Sequence, residues 1–361
     1  MMDIDPNTPK PSVNQGRKIL TYVTLVFVVI TGIVFIWAGL AEEIRKARPV
    51  AGFEVFLEKK DICAITMNDN EIWAGGIDGL FVSGDDGFSE VGDFRQVKAL
   101  LAVGPVIWVG HDEGLTILTD KGMTTLDKAD GLPDERVNAL ARDSDGTLWA
   151  GTWGGAALIR DEKVSSILTS ADGLIDDMVN VIYKDSAGSM WLGSYVAPRG
   201  GVTVVSKSEK RQFSTADGLL HSNINAIIEI ADSLILTGGG LFTKGGGTLF
   251  SHDKNGWVKA GGMTTSDGIA GDKVRSLYLD SNGSLWVGSE YDGLAVFRDF
   301  GSSAEGEFSY SDLAVLTIDN GLPNNEVKVV AEAADGSIWI GTRSGLLRID
   351  KEGMENVWGS D

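Results

Sequence analysis

Cysteine is nearly absent from this 361-residue chain: Cys63 is the only one. An internal disulfide framework and any multi-cysteine metal site are thereby excluded; the single cysteine leaves the redox compartment open, although a chain so poor in cysteine is at home outside the cytoplasm. Histidine is scarce as well. The three present (His111, His221 and His252) are scattered and have no cysteine partner, a weak metal signature. Positive charge is in deficit: 31 Lys and Arg face 51 Asp and Glu, for a formal net charge of −20. Such a polyanion repels phosphate backbones and shows no basic patch, which excludes nucleic acid as a partner. The acidity itself reads as solubility. Proline is rare, at 8 residues, whereas the 47 glycines point to a chain that turns often.

Long apolar runs are missing too, with one exception. Ile19 to Ala41 (ILTYVTLVFVVITGIVFIWAGLA) carries no charge over 23 residues. As a helix it extends about 35 Å, enough to cross a hydrocarbon core with some tilt. Tyr22 and Trp37 lie near its ends, where amphipathic rings favour the headgroup region. A cleaved signal peptide is the competing reading. Its apolar core is usually shorter, although Gly39-Leu40-Ala41 offers small residues for cleavage. A retained transmembrane helix over 19–41 is therefore expected, preceded by a disordered tail over 1–18 and followed by a charged stalk over 42–52. Lys10, Arg17 and Lys18 on one side balance Arg45, Lys46 and Arg48 on the other, so charge does not set the orientation.

What is abundant is repetition. An aromatic-x-Gly marker recurs at Trp73, Trp108, Trp149, Trp191, Trp286 and Trp339, and Leu236 in LTGG fills the one large gap, with spacings of 35 to 53 residues. The stretch Asp130 to Asp161 shows a whole unit. After the turn Asp130-Gly131-Leu132-Pro133 come apolar segments at Val137–Ala141, Leu148–Thr152 and Ala156–Ile159, separated by Asp143-Ser144-Asp145-Gly146 and Gly154-Gly155. Short apolar runs cornered by Gly, Asp and Asn are hairpin signatures. A fourth, more variable strand follows, as at Val164–Leu168. Four antiparallel strands per unit with a repeated Trp describe propeller blades. The expected fold is all-β, a seven-bladed β-propeller over 53–361 preceded by the single N-terminal transmembrane helix. Two segments compete to supply the last outer strand: Met354–Trp358, and Phe53–Leu57 from the other chain end. The second joins both ends and protects an edge, which favours it.

The pattern DGLP-x3-V-x-A-L-x-x-D-x-DG-x-LW-x-GT-x-GG around Trp149 resembles the two-component regulator propeller repeat. The resemblance covers roughly 60–350, strongest around Trp149, Trp191, Trp286 and Trp339. It implies the extracytoplasmic sensory part of bacterial sensor kinases and regulators, here without a kinase module.

The marker tryptophans occupy one fixed place per unit, which assigns them to packing between blades. Asp143-Ser144-Asp145-Gly146 and Asp280-Ser281-Asn282-Gly283 begin like calcium loops but lack the later ligands, so they read as hairpin turns. Counting back from the tryptophans aligns Cys63 with Ala139, a small buried strand position. Neither a metal nor a cofactor is expected, and no catalytic residue is assigned. What varies between units is the turn after each second strand. His111, Asp112, Trp153, Tyr195, Arg199, Glu290, Tyr291 and Arg343 lie there and are the candidate ligand-binding residues, on a rigid scaffold with one variable face. Arg136, Asn180, Asn225, Arg275 and Lys328, entering the first strands, are placed near the channel mouth. The expectation is a non-catalytic binding or sensory propeller in the inner membrane, single-pass, with the ring periplasmic or extracellular. Its partner at that face would be a small molecule, a glycan or a protein. The alternatives are a propeller lyase or hydrolase, with His111 and His221 sharing the channel mouth, and a pure assembly scaffold.

Overall fold

The repeated Asp-Gly-Leu turn works by three separate pieces of chemistry. In Thr169–Gly173, Ser214–Gly218 and Thr264–Gly268 the aspartate accepts from the backbone N–H three residues earlier, which closes one short 3-10 turn. The glycine then takes a left-handed conformation, with φ of 98–103°, that costs other residues free energy. The apolar residue that follows is driven inward: Leu132, Leu174, Leu219, Ile269 and Leu322 are all buried. Each turn is thus a hinge with a hydrophobic plug, and it hands the chain from one blade to the next.

The computed structural model describes residues 50–359 apart from 196, 197, 208, 242, 243 and 255. The tail, the 19–41 segment and most of the stalk lie outside the described residues. Among those described, no helix is long and apolar enough to cross a membrane.

Seven four-stranded antiparallel sheets form the blades. Blade 1 runs over Ala64–Glu90, blade 2 over Ala99–Leu126, blade 3 over Val137–Leu168 and blade 4 over Val179–Phe213. Blade 5 covers Ile224–Met263, blade 6 Val274–Leu316, and blade 7 takes Val327–Ile349 together with Phe53–Phe56. The first strands contact one another in cyclic order, and that of blade 7 returns to that of blade 1. The all-β, seven-bladed expectation therefore holds.

Closure comes from the N-terminal segment. Phe53–Phe56 pairs antiparallel with Gly345–Ile349, Phe53 opposite Ile349 and Phe56 opposite Leu346. Met354–Trp358, the competing strand, lies instead on a short helix, Lys351–Val357, and its C-terminal cap. Asp350 caps that helix by accepting from the Gly353 N–H at 3.0 Å. Met354, Val357 and Trp358 pack against the cluster between blades 6 and 7.

The marker tryptophans are buried between blades; Trp191 and Trp286 are wholly inaccessible, as is Leu236 in the degenerate copy. Their polar edge is also satisfied. Trp149, Trp191 and Trp286 donate Nε1–H to Asp143, Asp185 and Asp280 at 2.9–3.0 Å. The other oxygen of each aspartate accepts the backbone N–H at the end of its hairpin, from Thr147, Ser189 or Ser284. The loops that began like calcium sites are therefore indole acceptors.

Blade 6 carries an insertion. Its small hairpin, Gly301–Ser302 with Phe308–Ser309, packs Phe300 and Phe308 beneath blades 5 and 6. The Phe300 N–H bonds to Gly283 O, in the turn between the first and second strands. That is the face opposite the variable turns.

Candidate functional site

One residue per blade sits at the same register, immediately before the strand residue that pairs with the marker glycine. These are Cys63, Lys98, Asn138, Asn180, Asn225, Arg275 and Lys328. In blades 3 to 7 the pairing register shifts at this point, and such a bulge re-aims the extra residue. All seven line one cavity of about 360 Å³ at the channel mouth. Asp61, Ile77, Gln96, Val97, Trp153 and Tyr195 complete its wall.

The ring residues also tie neighbouring blades together. Asn138 donates Nδ2–H to Val179 O, Asn180 to Ile224 O and Asn225 to Val274 O, at 3.3, 2.9 and 2.8 Å. The Cys63 thiol makes the equivalent bond to Val97 O at 3.0 Å. The sequence alignment of Cys63 with Ala139 is thus off by one. Thr66 pairs with Trp73 but Ala141 with Trp149, because the turn before Trp73 is one residue shorter. A slip of one residue turns a side chain to the other face of a strand, and Cys63 lines the channel. Burial pushes its thiol up to about 11, although Lys328, Arg275 and Lys98 pull the other way.

Acid and base alternate around the mouth. Lys328 bonds both oxygens of Asp61 at 2.9 and 2.7 Å and approaches Glu326 at 3.5 Å. Lys273 pairs with Glu290, and Lys98 with Asp112 at 2.5 Å. Arg275 lies between Glu290 at 3.6 Å and Glu326 at 3.7 Å. Burial raises the Glu290 carboxyl, but bonds from Lys273 and Tyr291 with the field of Arg275 outweigh it, and the net shift is downward.

The structure brings four of the eight candidate residues to this mouth. Trp153 and Tyr195 line the cavity, and Trp153 stacks under Arg136 at 4.1 Å with Lys98 at 5.6 Å. Asp112 and Glu290 hold lining cations. Tyr291, half exposed, has Lys273 over its ring at 5.8 Å. Arg343 extends into solvent 3.8 Å from Glu326. Arg199 is exposed and reaches only Asp176, at 3.9 Å. His111 is buried within blade 2, where Nε2 bonds Thr116 Oγ1 at 2.8 Å, Nδ1 accepts from the Glu113 N–H and Phe94 packs edge-on.

His221 accepts from its own loop, at the Asn223 N–H. The two histidines share no contact, and burial lowers both below the ordinary imidazole value. Among the described residues no group of three or more His, Cys, Asp or Glu is placed to hold a metal ion. Sequence reasoning overlooked Lys98 and Asn138 and misplaced Cys63. The signal was there: five of the seven ring residues stand eleven positions before the marker, and the first two blades stand ten before it.

The two-component regulator propeller pattern matches residues 131–154, 173–196, 268–291 and 321–344. These segments run from the plugged turn into the variable turn of blades 3, 4, 6 and 7. No curated protein matches the chain. Among solved structures it resembles the extracellular domain assigned to a hybrid two-component system of B. thetaiotaomicron, at TM-score 0.68 and 18% identity over 86% of this chain and 42% of that one. PorZ, a surface component of the type-IX secretion system of Porphyromonas gingivalis, follows at TM-score 0.61 and 15% identity, over 87% and 50%. Virginiamycin B lyase of Staphylococcus aureus gives 0.59 and 11%, over 82% and 98%. The chain spans less than half the length of the first of these. At such identities the likeness establishes the fold alone.

Proposed function

The chain is a propeller of the two-component regulator family, and from that premise we propose that it is a non-catalytic recognition or sensory module, anchored in the inner membrane by Ile19–Ala41 with its ring outside the cytoplasm. The observation that carries this reading is the channel mouth. Seven blades each contribute one polar or reactive side chain to a single cavity, walled by Trp153 and Tyr195 and rimmed by ion pairs. A few convergent polar groups with aromatic walls are what a binding site needs. The occupant is a small molecule, a glycan or a segment of a partner protein.

The catalytic alternative has less support. A lyase or hydrolase needs an acid or base poised at the cavity, whereas His111 is spent inside blade 2, His221 on its own loop, and the lining groups Lys328 and Lys98 on Asp61 and Asp112. The scaffold alternative calls for an apolar patch on the ring's side. The most exposed aliphatic side chains, Met123, Ile77 and Val315, belong to three different blades.

Two measurements test the proposal. A topology reporter fused after Asp361 is expected to be active only outside the cytoplasm. A thermal-shift screen of the full chain against metabolites and glycans is expected to yield a stabilising compound that loses its effect in Trp153→Ala and Tyr195→Ala. A cytoplasmic reporter sinks the location. Binders indifferent to both substitutions sink the site.

A further inference from the structure

The ring at the channel has two unlike halves. Blades 6, 7 and 2 present Arg275, Lys328 and Lys98, with Cys63 of blade 1 between the last two. Blades 3, 4 and 5 present Asn138, Asn180 and Asn225. In a chain of net charge −20, no ring position holds an acid.

Arg275 is the informative member. Its two carboxylate neighbours stand at 3.6 and 3.7 Å, outside hydrogen-bond range. Its guanidinium hydrogen-bonds none of the described residues, yet a quarter of the side chain remains accessible in the cavity wall. Glu290 and Glu326 therefore hold the fork in place by charge and leave its donors open. A planar fork of N–H groups matches a carboxylate bidentately. Lys328 and Lys98 stand on the same side, but each is already paired with an acid, Asp61 and Asp112, so their charge is compensated and the anion contact falls to Arg275.

The asparagines have the complementary chemistry. Each uses its amide nitrogen on the next blade's backbone. Among the described residues, Oδ1 of Asn138 and of Asn180 accepts no hydrogen bond, so this half offers acceptors and calls for donors. A simple inorganic anion satisfies only the basic half, and a neutral polyol only the other.

We propose that the cavity binds a small hydroxycarboxylate. Its carboxylate sits on Arg275, its hydroxyls donate to the asparagine arc, and Trp153 and Tyr195 cover it from the rim. This assignment rests on the mouth being the recognition site, as argued above.

The test is isothermal titration calorimetry on the full chain in detergent, with gluconate as the probe. Sorbitol supplies the hydroxyls without the carboxylate, and acetate the carboxylate without the hydroxyls. Saturable gluconate binding is expected, with acetate far weaker and sorbitol silent. Arg275→Gln is expected to weaken gluconate at least about tenfold, the loss of one charge-assisted pair. Arg275→Lys, which keeps the charge and loses the fork, should fall between, and Arg160→Gln, paired with Asp145 on the opposite face, should bind as the native chain does. Melting curves of each variant separate misfolding from lost contacts. No gluconate binding, or equal binding by Arg275→Gln, overturns the proposal. If a neutral compound then binds in a manner sensitive to Trp153→Ala, the mouth remains the recognition site and only the carboxylate assignment falls. If nothing sensitive to Trp153→Ala binds, both readings fall together.

Discussion

At the scale of single residues, the marker tryptophan and the aspartate six positions before it act as one unit. Trp191 is fully buried between blades and its indole N–H ends on Asp185, which also accepts from the Ser189 backbone. Trp191→Ala should cost about 3–5 kcal/mol by urea denaturation. Asp185→Ala should cost about 1–3 kcal/mol while leaving the packing intact, because two donors lose their acceptor. In the sequence the tryptophans were legible as packing. The aspartates read only as hairpin-turn residues, since nothing in a linear motif says that a ring six residues on will use the carboxylate. Titration acts at this scale too. Burial holds the His111 imidazole below its ordinary 6.5 against the opposing fields of Glu113 and Asp112. The unfolded chain then takes up the proton first, so this contribution to stability is whole above about pH 6.5 and is lost as the pH falls through it. Asp172 and Asp335 act lower. Hydroxyl bonds from Thr169 and Ser337 depress them, and their contribution goes as the pH falls below the ordinary 3.8. Denaturation midpoints followed from neutral pH downward should show both limbs, and His111→Gln should flatten part of the upper limb only.

Among elements, register decides function. The first strand of each blade was legible as apolar, but which of its residues faces the channel depends on turn length. Six residues separate the marker from its partner on the first strand in blades 1 and 2 and seven in the later blades, the extra one lying in the turn or, in blade 5, in a bulge at Glu229–Ala231, which is why Cys63 and Lys98 stand ten positions before their markers and the others eleven. Bulges are equally silent in sequence: Asn138 resembles any polar residue in a strand until the pairing skips it. The insertion in blade 6 was better signalled, because a stretch interrupting a fixed repeat must leave on one face or the other. Phe300 and Phe308 seat it below, against the core of blades 5 and 6. Replacing Gly301–Ser309 by a short Gly-Ser turn should lower stability by about 1–3 kcal/mol, since two half-buried aromatics lose their packing. Binding at the channel mouth should be unchanged, because the hairpin lies on the opposite face. A calorimetric titration with altered affinity in that variant would show that the two faces are coupled through blade 6.

For the whole molecule, the seven units were legible because each leaves one unmistakable mark, but closure is a property of the circle and of no single unit. The N-terminal strand was favoured over Met354–Trp358 on the ground that joining the chain ends protects an edge. The sequence Asp350-Lys-Glu-Gly-Met-Glu-Asn instead caps and forms a helix. Closure is also tied from inside the channel, where Lys328 of blade 7 reaches Asp61 just ahead of blade 1. At the rim, Phe56 packs on Trp339 and Phe88 with ring centroids 5.5 Å apart, bridging blades 7 and 1. Replacing both Phe53 and Phe56 by Ala should therefore cost roughly 2–4 kcal/mol, less than full burial predicts because both rings are only partly covered. Such a loosened strand leaves Gly345–Ile349 as an open edge, which invites pairing with a second chain. Two outcomes follow if the strand is the clasp. The doubly substituted protein should melt lower and form concentration-dependent dimers in analytical ultracentrifugation. A synthetic peptide of residues 50–58 should return it to monomer and raise its melting temperature, because the vacated edge accepts the native strand in trans. A peptide with Phe53 and Phe56 changed to Ala should do neither. If the native peptide has no effect, the ring is held by its blade-to-blade contacts, and the N-terminal strand only covers an edge that was already stable.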